Sequence, residues 1–272
     1  GGLLVSDNPT HVLGVNIWGP LGEHFATDPH RVRCNDNITY VVKFAQNPQG
    51  IKALINEYVC ARLAKNLDLP IPDFSLVHIT QELINVSIKN IKLEDKVQPG
   101  IHFGSRELNK AIPLTSSDLI EYAENKMDIA KIILFDHIIA NEDRCANTRN
   151  LLFDMEKRRI TIIDHSHAFE LGCIWDAIQL RQRFNTPFRV YNLKGATYSK
   201  LIPYIEEHSF YTMVDKISNL SRNDIESLLN GLPDEWFCPD EDKEALTQYL
   251  YDRITRVDEL MEAISKALKQ NG

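Results

Sequence analysis

Apolar positions in the first hundred residues come in short bursts with strand-like spacing. Residues 11–18 are apolar and partly alternating, and Gly14, Gly19-Pro20 and Gly22 punctuate them, which predicts a strand running into a turn. Residues 31–34 and 38–44 read as two more strands joined by an Asn35-Asp36-Asn37 turn. The period then lengthens. Across residues 49–66, Leu54, Tyr58, Ala61 and Ala64 recur at helical spacing. That helix is expected to end before Leu69-Pro70-Ile71-Pro72, because proline disfavours helical geometry in the residue preceding it. Residues 74–79 return to a strand pattern, while residues 83–100 show no clear period.

From about residue 115 the pattern becomes helical. Thr115 with Asp118 has the form of a capping box for one long helix through Leu119, Ile129, Ile133 and Ile139, which would deliver the chain to Asp143. Residues 151–153 and 160–163 predict a hairpin around the polar residues 154–159, with Asn150 and Asp164 at its open end. Ser221 and Asp224 mark the start of a further helix, Gly231 and Pro233 its end, and residues 241–268 a last one. The expected fold class is α+β in two lobes around a cleft: a β-rich lobe over residues 1–105 and a helical lobe over residues 106–272.

Composition narrows the class. With 43% hydrophobic and 25% charged residues in 272, the chain reads as an ordinary globular protein able to bury a large core. No apolar run approaches the roughly 20 residues that cross a bilayer, and no signal peptide is read at its start. A formal charge of −8 disfavours nonspecific binding to nucleic acid. The five cysteines form no CxxC pair and suggest neither a disulfide framework nor a zinc site, so a reducing cytosol is the expected setting.

The chemistry concentrates in Asn141-Glu142-Asp143-Arg144, then Asn147, Asn150-Leu151-Leu152 and Ile162-Ile163-Asp164-His165. Phosphoryl transfer needs one carboxylate to orient the attacking hydroxyl, and an amide oxygen plus a second carboxylate to hold magnesium against ATP. Asp143 fits the first role, Asn150 and Asp164 the second, with Asn147 a rival for Asn150. Arg144 is read as holding the loop or a phosphate oxygen. Lys43, after Tyr40-Val41-Val42, suits the α- and β-phosphates, and Glu57 on the following helix suits a partner for it. The bland reading is a strand-end lysine reaching solvent and a solvated glutamate. Asp164-His165-Ser166-His167 also admits a metallohydrolase reading, weakly, since no third histidine is near in sequence.

The chain has neither a Walker A sequence nor a GxGxxG loop, so any phosphate cover falls to the loop around Gly19–Gly22, with Gly14 before it. Arg181, Arg183, Arg189, Lys194 and Lys200 form a basic stretch read as a solvated surface or a dock for an acidic substrate segment. Cys145, inside the proposed loop, is either an accessible thiol or a small space-filler.

These residues resemble the HipA-like kinase family, bacterial relatives of the protein-kinase and phosphoinositide-kinase folds. The resemblance rests on Tyr40-Val41-Val42-Lys43-Phe44, Asn56-Glu57-Tyr58-Val59, Leu63-Ala64 through Leu69-Pro70-Ile71-Pro72, and Pro99-Gly100-Ile101-His102-Phe103-Gly104-Ser105. It continues through Asn141–Leu152, Ile163-Asp164-His165-Ser166 and Leu232-Pro233-Asp234-Glu235-Trp236. It implies a bilobal kinase with ATP in the cleft, Lys43 on the phosphates, Asp143 as catalytic aspartate, and Asn150 and Asp164 on magnesium. Residues 101–105, with Phe103 and Ser105, would lie near the hinge, where backbone groups read adenine. The chain looks like the family's compact standalone branch, so the protein substrate of the toxin kinases does not carry over. Two departures stand out: the metal-binding asparagine of protein kinases would fall at Thr148, and Asp164-His165-Ser166 replaces Asp-Phe-Gly.

The expected activity is ATP- and magnesium-dependent transfer of a phosphoryl group to a hydroxyl, with Ser or Thr of a protein as leading acceptor. A small-molecule or lipid-headgroup kinase is the near alternative, since fold does not fix the acceptor. A non-enzymatic nucleotide-binding module is the contrasting class.

Overall fold

The computed structural model describes residues 8–22, 25–89, 91–93 and 96–271. Its first part is a closed barrel of five strands: β1 (His11–Pro20), β2 (His30–Cys34), β3 (Thr39–Lys43), β4 (Phe74–Ile79) and β5 (Gly100–Arg106), in the order β1-β2-β3-β5-β4. The Asn35–Asn37 turn joins β2 to β3 as expected, with Asn37 in the left-handed region at φ 63°. Closure comes from β1 running parallel to β4, His11 opposite Leu76 and Leu13 opposite His78. Val32, Val42, Phe44, Val77 and Ile79 fill the barrel. Gly14 and Gly104 face this interior: a Cβ at Gly14 would lie 2.8 Å from Ile79 Cδ1, and one at Gly104 2.6 Å from Val77 Cγ2. Gly14 is therefore a packing glycine rather than part of a phosphate loop. The Gly19–Gly22 loop runs into residues 23 and 24, which lie outside the described residues.

Between β3 and β4 runs α1 (Ile51–Asn66), buried along most of its length. Its low amphipathicity follows from having protein on nearly every side. The segment without a clear period overlaps α2 (Gln81–Ser87), which Thr80 caps through Leu83 N, and it ends at the start of β5.

The chain continues as β6 (Ala111–Pro113), α3 (Asp118–Glu121), α4 (Asp128–Ile138), α5 (Asp143–Ala146), β7 (Leu151–Asp154) and β8 (Arg159–Ile162). The hairpin β7–β8 forms as predicted, and β6 adds a third strand beside β7. The single long helix from Thr115 does not form. Asn125 interrupts it, donating to Ile160 O and Asp128 Oδ2 and accepting from Ile160 N, which ties the turn to β8. Nor is Thr115 the cap: Asp118 N bonds Ser116 Oγ.

The remaining elements are α6 (Ala177–Arg181), α7 (Tyr198–Leu201), α8 (Glu207–Ser218), α9 (Arg222–Ser227), α10 (Asp240–Thr255) and α11 (Val257–Gln270). Ser221 and Asp224 form the predicted capping box. The expected last helix is divided at Arg256, whose backbone leaves helical geometry at φ −104°, ψ 23°. One large apolar core joins α1 to α4, α8, α10 and α11. Among the described residues no helix is long and apolar enough to cross a membrane.

Candidate functional site

Lys43 closes β3, and its register opposite Phe103 turns it toward α1 instead of the barrel interior. Its ammonium donates to Glu57 Oε1 at 2.7 Å and to Asp164 Oδ1 at 2.9 Å. Burial alone would discharge Lys43, but the carboxylates of Asp164 and Glu57 outweigh it and hold its pKa above the ordinary value. Burial likewise opposes charge on Glu57 and Asp164, yet Lys43 keeps both carboxyls below their usual range. Three charges from positions far apart in sequence thus form one buried group.

Glu57 is fixed from two directions. Its Oε1 also accepts from His165 N at 2.6 Å. Immediately before it on α1, Asn56 Nδ2 donates to Ser166 O at 2.8 Å and Gly172 O at 2.9 Å, while its Oδ1 accepts from Trp175 Nε1 at 2.8 Å. Lys52 adds an ion pair to Asp242 and lies 3.5 Å from the Trp175 ring centroid. The segment after Asp164 is therefore hydrogen-bonded to α1.

Asp164 itself adopts φ 61°, which costs an L-residue other than glycine on the order of 1 kcal/mol. Ser166 compensates, donating to Asp164 Oδ1 from Oγ at 2.7 Å. His165 is buried edge-on to Phe135, and burial lowers its pKa, keeping it neutral. His167 lies outside, in contact with solvent. Among the described residues no cluster of three His, Cys, Asp or Glu side chains can hold a metal, so the histidine pair acquires no third ligand.

Asp143 begins α5. Its Oδ2 accepts from Asn150 Nδ2 at 2.5 Å and more distantly from Asn147 Nδ2 at 3.4 Å, and lies 4.0 Å from His167 Nδ1. The two asparagines differ in their oxygens. Asn147 Oδ1 accepts from Arg149 N and caps the short 3-10 turn at residues 148–150, whereas Asn150 Oδ1 accepts no hydrogen bond among the described residues. Asn150 and Asp164 sit across the mouth of the hairpin, where Ile163 N donates to Asn150 O at 3.1 Å.

Arg144 does not reach the cleft. Fully buried, it pairs with Asp136 Oδ1 at 2.8 Å and donates to the carbonyls of Asn150 and Ile163. It holds the two arms of the site together. Asp136, which also accepts from Tyr198 OH at 2.9 Å, is a residue that sequence reasoning missed. Its signal was an isolated acid directly after the apolar Ile132-Ile133-Leu134-Phe135 run. Cys145 is buried and burial raises its thiol pKa, so it is the space-filler of the two readings.

Phe103 and Ser105 pair with Lys43 and Val41 and share their face of the sheet. Their main chain is engaged differently from expectation. β5 is paired with β4 along its length and with β3 from Phe103 on, while Ile101 donates its N–H to Glu235 Oε2 and accepts from Trp236 Nε1, so the backbone of this segment is spent within the protein. The chain leaves the ladder only after Glu107, whose N–H still donates to Thr39 O at 2.9 Å.

Beside Asp143 opens a cavity of about 610 Å³, lined by His167 and by the ion pairs Glu142–Arg189 and Glu170–Arg183. Two arginines of the basic stretch are thus neutralised by local carboxylates, which removes much of its attraction for an acidic segment.

A barrel that presents a lysine to a buried glutamate, followed by helices that carry an aspartate and asparagine pair, is a kinase fold. The crystal structure of the Helicobacter pylori proinflammatory kinase CtkA is similar to this chain with a TM-score of 0.54 at 15% identity, covering 87% of this chain and 95% of that one. A model of the HipA-like kinase family matches residues 22–267, and the chain belongs to that family. No curated protein matches it.

Proposed function

We propose that the protein transfers the γ-phosphoryl group of ATP to a hydroxyl, with residues up to about 105 as one lobe, the rest as the other, and the nucleotide between them. The observation that carries this reading is the convergence of Lys43, Glu57 and Asp164 next to the Asp143–Asn150 pair.

The donor set fits the groups involved. Magnesium takes hard oxygen ligands and is commonly held by one or two protein groups with phosphates and water. Asp164 offers a carboxylate held ionised, and Asn150 an amide oxygen with no other partner among the described residues. Asn150 is favoured over Asn147, whose oxygen is occupied. When bound, magnesium neutralises charge on the phosphate oxygens. Lys43 has three N–H donors and spends two on carboxylates, which leaves one for a phosphate oxygen. Adenine is read by main chain after Glu107, with Phe103 and Ser105 contributing side chains to the same face. Asp143, oriented by Asn150, aligns the acceptor hydroxyl and receives its proton.

A Ser or Thr of a protein is the acceptor we favour. The cavity beside Asp143 supports a second reading, because about 610 Å³ falls in the range of small-molecule sites. The test uses labelled ATP with magnesium, wild type against Asp143→Asn. Wild type should release ADP and Asp143→Asn should not, while both melt alike. Label in the protein fraction of a cell extract supports the first acceptor, and label in the small-molecule fraction the second. Equal nucleotide binding with no turnover by either form would reduce the protein to a nucleotide-binding module.

A further inference from the structure

A second cavity, of about 430 Å³, shares no residue with the Lys43–Asp164 cluster. It opens at the end of the barrel where α1 finishes, bordered by Asp36, Tyr40, Arg62, Lys65, Asp73 and Arg106. Three cations therefore face two carboxylates, on a protein whose formal charge is −8.

The carboxylates are already committed. Asp73 is shared by Lys65 at 2.6 Å and Arg106 at 4.0 Å, and these cations hold its carboxyl below the usual range. Asp36 accepts from Tyr40 OH at 2.7 Å and from Ile38 N at 3.0 Å. Ser75 Oγ in turn donates to Tyr40 OH at 3.3 Å, so the floor of the cavity is a fixed polar chain.

The surplus charge belongs to Arg62. It is only 8% exposed, and among the described residues no carboxylate pairs with it. Its partners are neutral: Nη1 donates to Tyr58 OH at 2.7 Å and to Asn230 O at 2.8 Å. Nε and Nη2 make no hydrogen bond among the described residues, and those residues do not enclose them, since Arg62 lines the cavity. A guanidinium buried to this degree without a counter-charge is costly, and its planar fork matches the oxygens of a carboxylate or phosphate.

We propose that this cavity is a binding site for a small oxyanion, a phosphate- or carboxylate-bearing molecule, gripped by Arg62 with Lys65 and Arg106 at the rim. It stands on the helix that carries Glu57, so the ligand braces α1 against β4 and β5.

The test titrates the full chain with inorganic phosphate and, separately, with citrate at ionic strength matched by chloride, following thermal unfolding and binding heat. Either anion should raise Tm beyond chloride, and the more effective one identifies the ligand's head group. The Lys65→Ala/Arg106→Ala double variant, altered only at the rim, should bind about tenfold more weakly. Arg62→Gln should lose the response, with circular dichroism reporting whether it folds. If neither anion exceeds chloride, or if the response survives unchanged in the double variant, Arg62 is only a strut between α1 and residue 230 and the proposal fails.

Discussion

Replacing Lys43 by methionine tests the buried charge group most directly. Methionine keeps much of the lysine stem's volume, so the change removes charge with little change in packing. Glu57 and Asp164 would then share a buried site with no cation, their side chains only 6% and 24% exposed. Breaking a buried ion pair by removing one partner costs about 3–5 kcal/mol, which in a protein of this size lowers Tm by about 10 °C. The pH dependence distinguishes this cause from simple loss of packing. In the wild type both carboxyls have depressed pKa values, so their stabilisation is complete above the unfolded values near 4 and is lost only as pH falls through the folded ones. In Lys43→Met the sign reverses. Burial and mutual repulsion raise the folded values, so stability is fullest below the unfolded values and is lost as pH rises through the folded ones. The gap between variant and wild type should therefore narrow by about 2–3 kcal/mol between pH 7 and pH 5, at roughly 1.4 kcal/mol per proton per unit. Urea unfolding of both proteins at the two pH values measures the gap directly, and other titrating groups cancel in the difference. A gap of equal size at both pH values would refute the argument, because a packing defect does not titrate.

Three further outcomes are expected. Asn150→Ala should lower turnover about a hundredfold and shift its magnesium dependence to higher concentration, whereas Asn147→Ala should change either only a few-fold, as read by initial rates across a magnesium titration. His102 and His137, both driven by burial to about 4, stay neutral in the fold while the unfolded chain takes up protons below about 6.5. Stability should consequently fall by about 3 kcal/mol from pH 7 to pH 5 in the wild type, and His102→Gln should soften that slope in urea titrations. Ser221→Ala removes the oxygen that accepts from Asp224 N and should cost about 1 kcal/mol by thermal unfolding, with turnover unchanged.

What could be read from the sequence followed the range of the interaction. The β2–β3 turn, the end of α1 before Pro70, the β7–β8 hairpin and the Ser221 cap depend on residues a few positions apart, and local periodicity exposed them. Interruptions within periodic stretches were not visible, because the agents lie elsewhere: Asn125 breaks the long helix through bonds to Ile160, 35 residues away. Barrel closure is hidden for the same reason, since the parallel β1–β4 pairing joins His11 to Leu76 and leaves no local mark.

The candidate site divides along a similar line. Lys43, Glu57, Asp143, Asn150 and Asp164 were nameable as candidates because their residue types, in that order along the chain, are the ones phosphoryl transfer uses. The side chains that set their positions carry no such label. Arg144 read as holding either the loop or a phosphate oxygen, and its bonds to Asp136 and the carbonyls of Asn150 and Ile163 select the loop. His165 read as a possible metal ligand, yet burial keeps it neutral and its main-chain N–H is what reaches Glu57. In each case the burial and backbone geometry decided the role, and neither is a property of residue type. Ser166 is the clearest instance: its hydroxyl donates to Asp164 Oδ1 and so helps hold that left-handed aspartate in place, a role its residue type does not announce. If Asp164 holds magnesium as proposed, Ser166→Ala should weaken the placement of its carboxylate. Its expected signature is a raised magnesium requirement in the rate assay that Ser166→Thr, which keeps the hydroxyl, does not show.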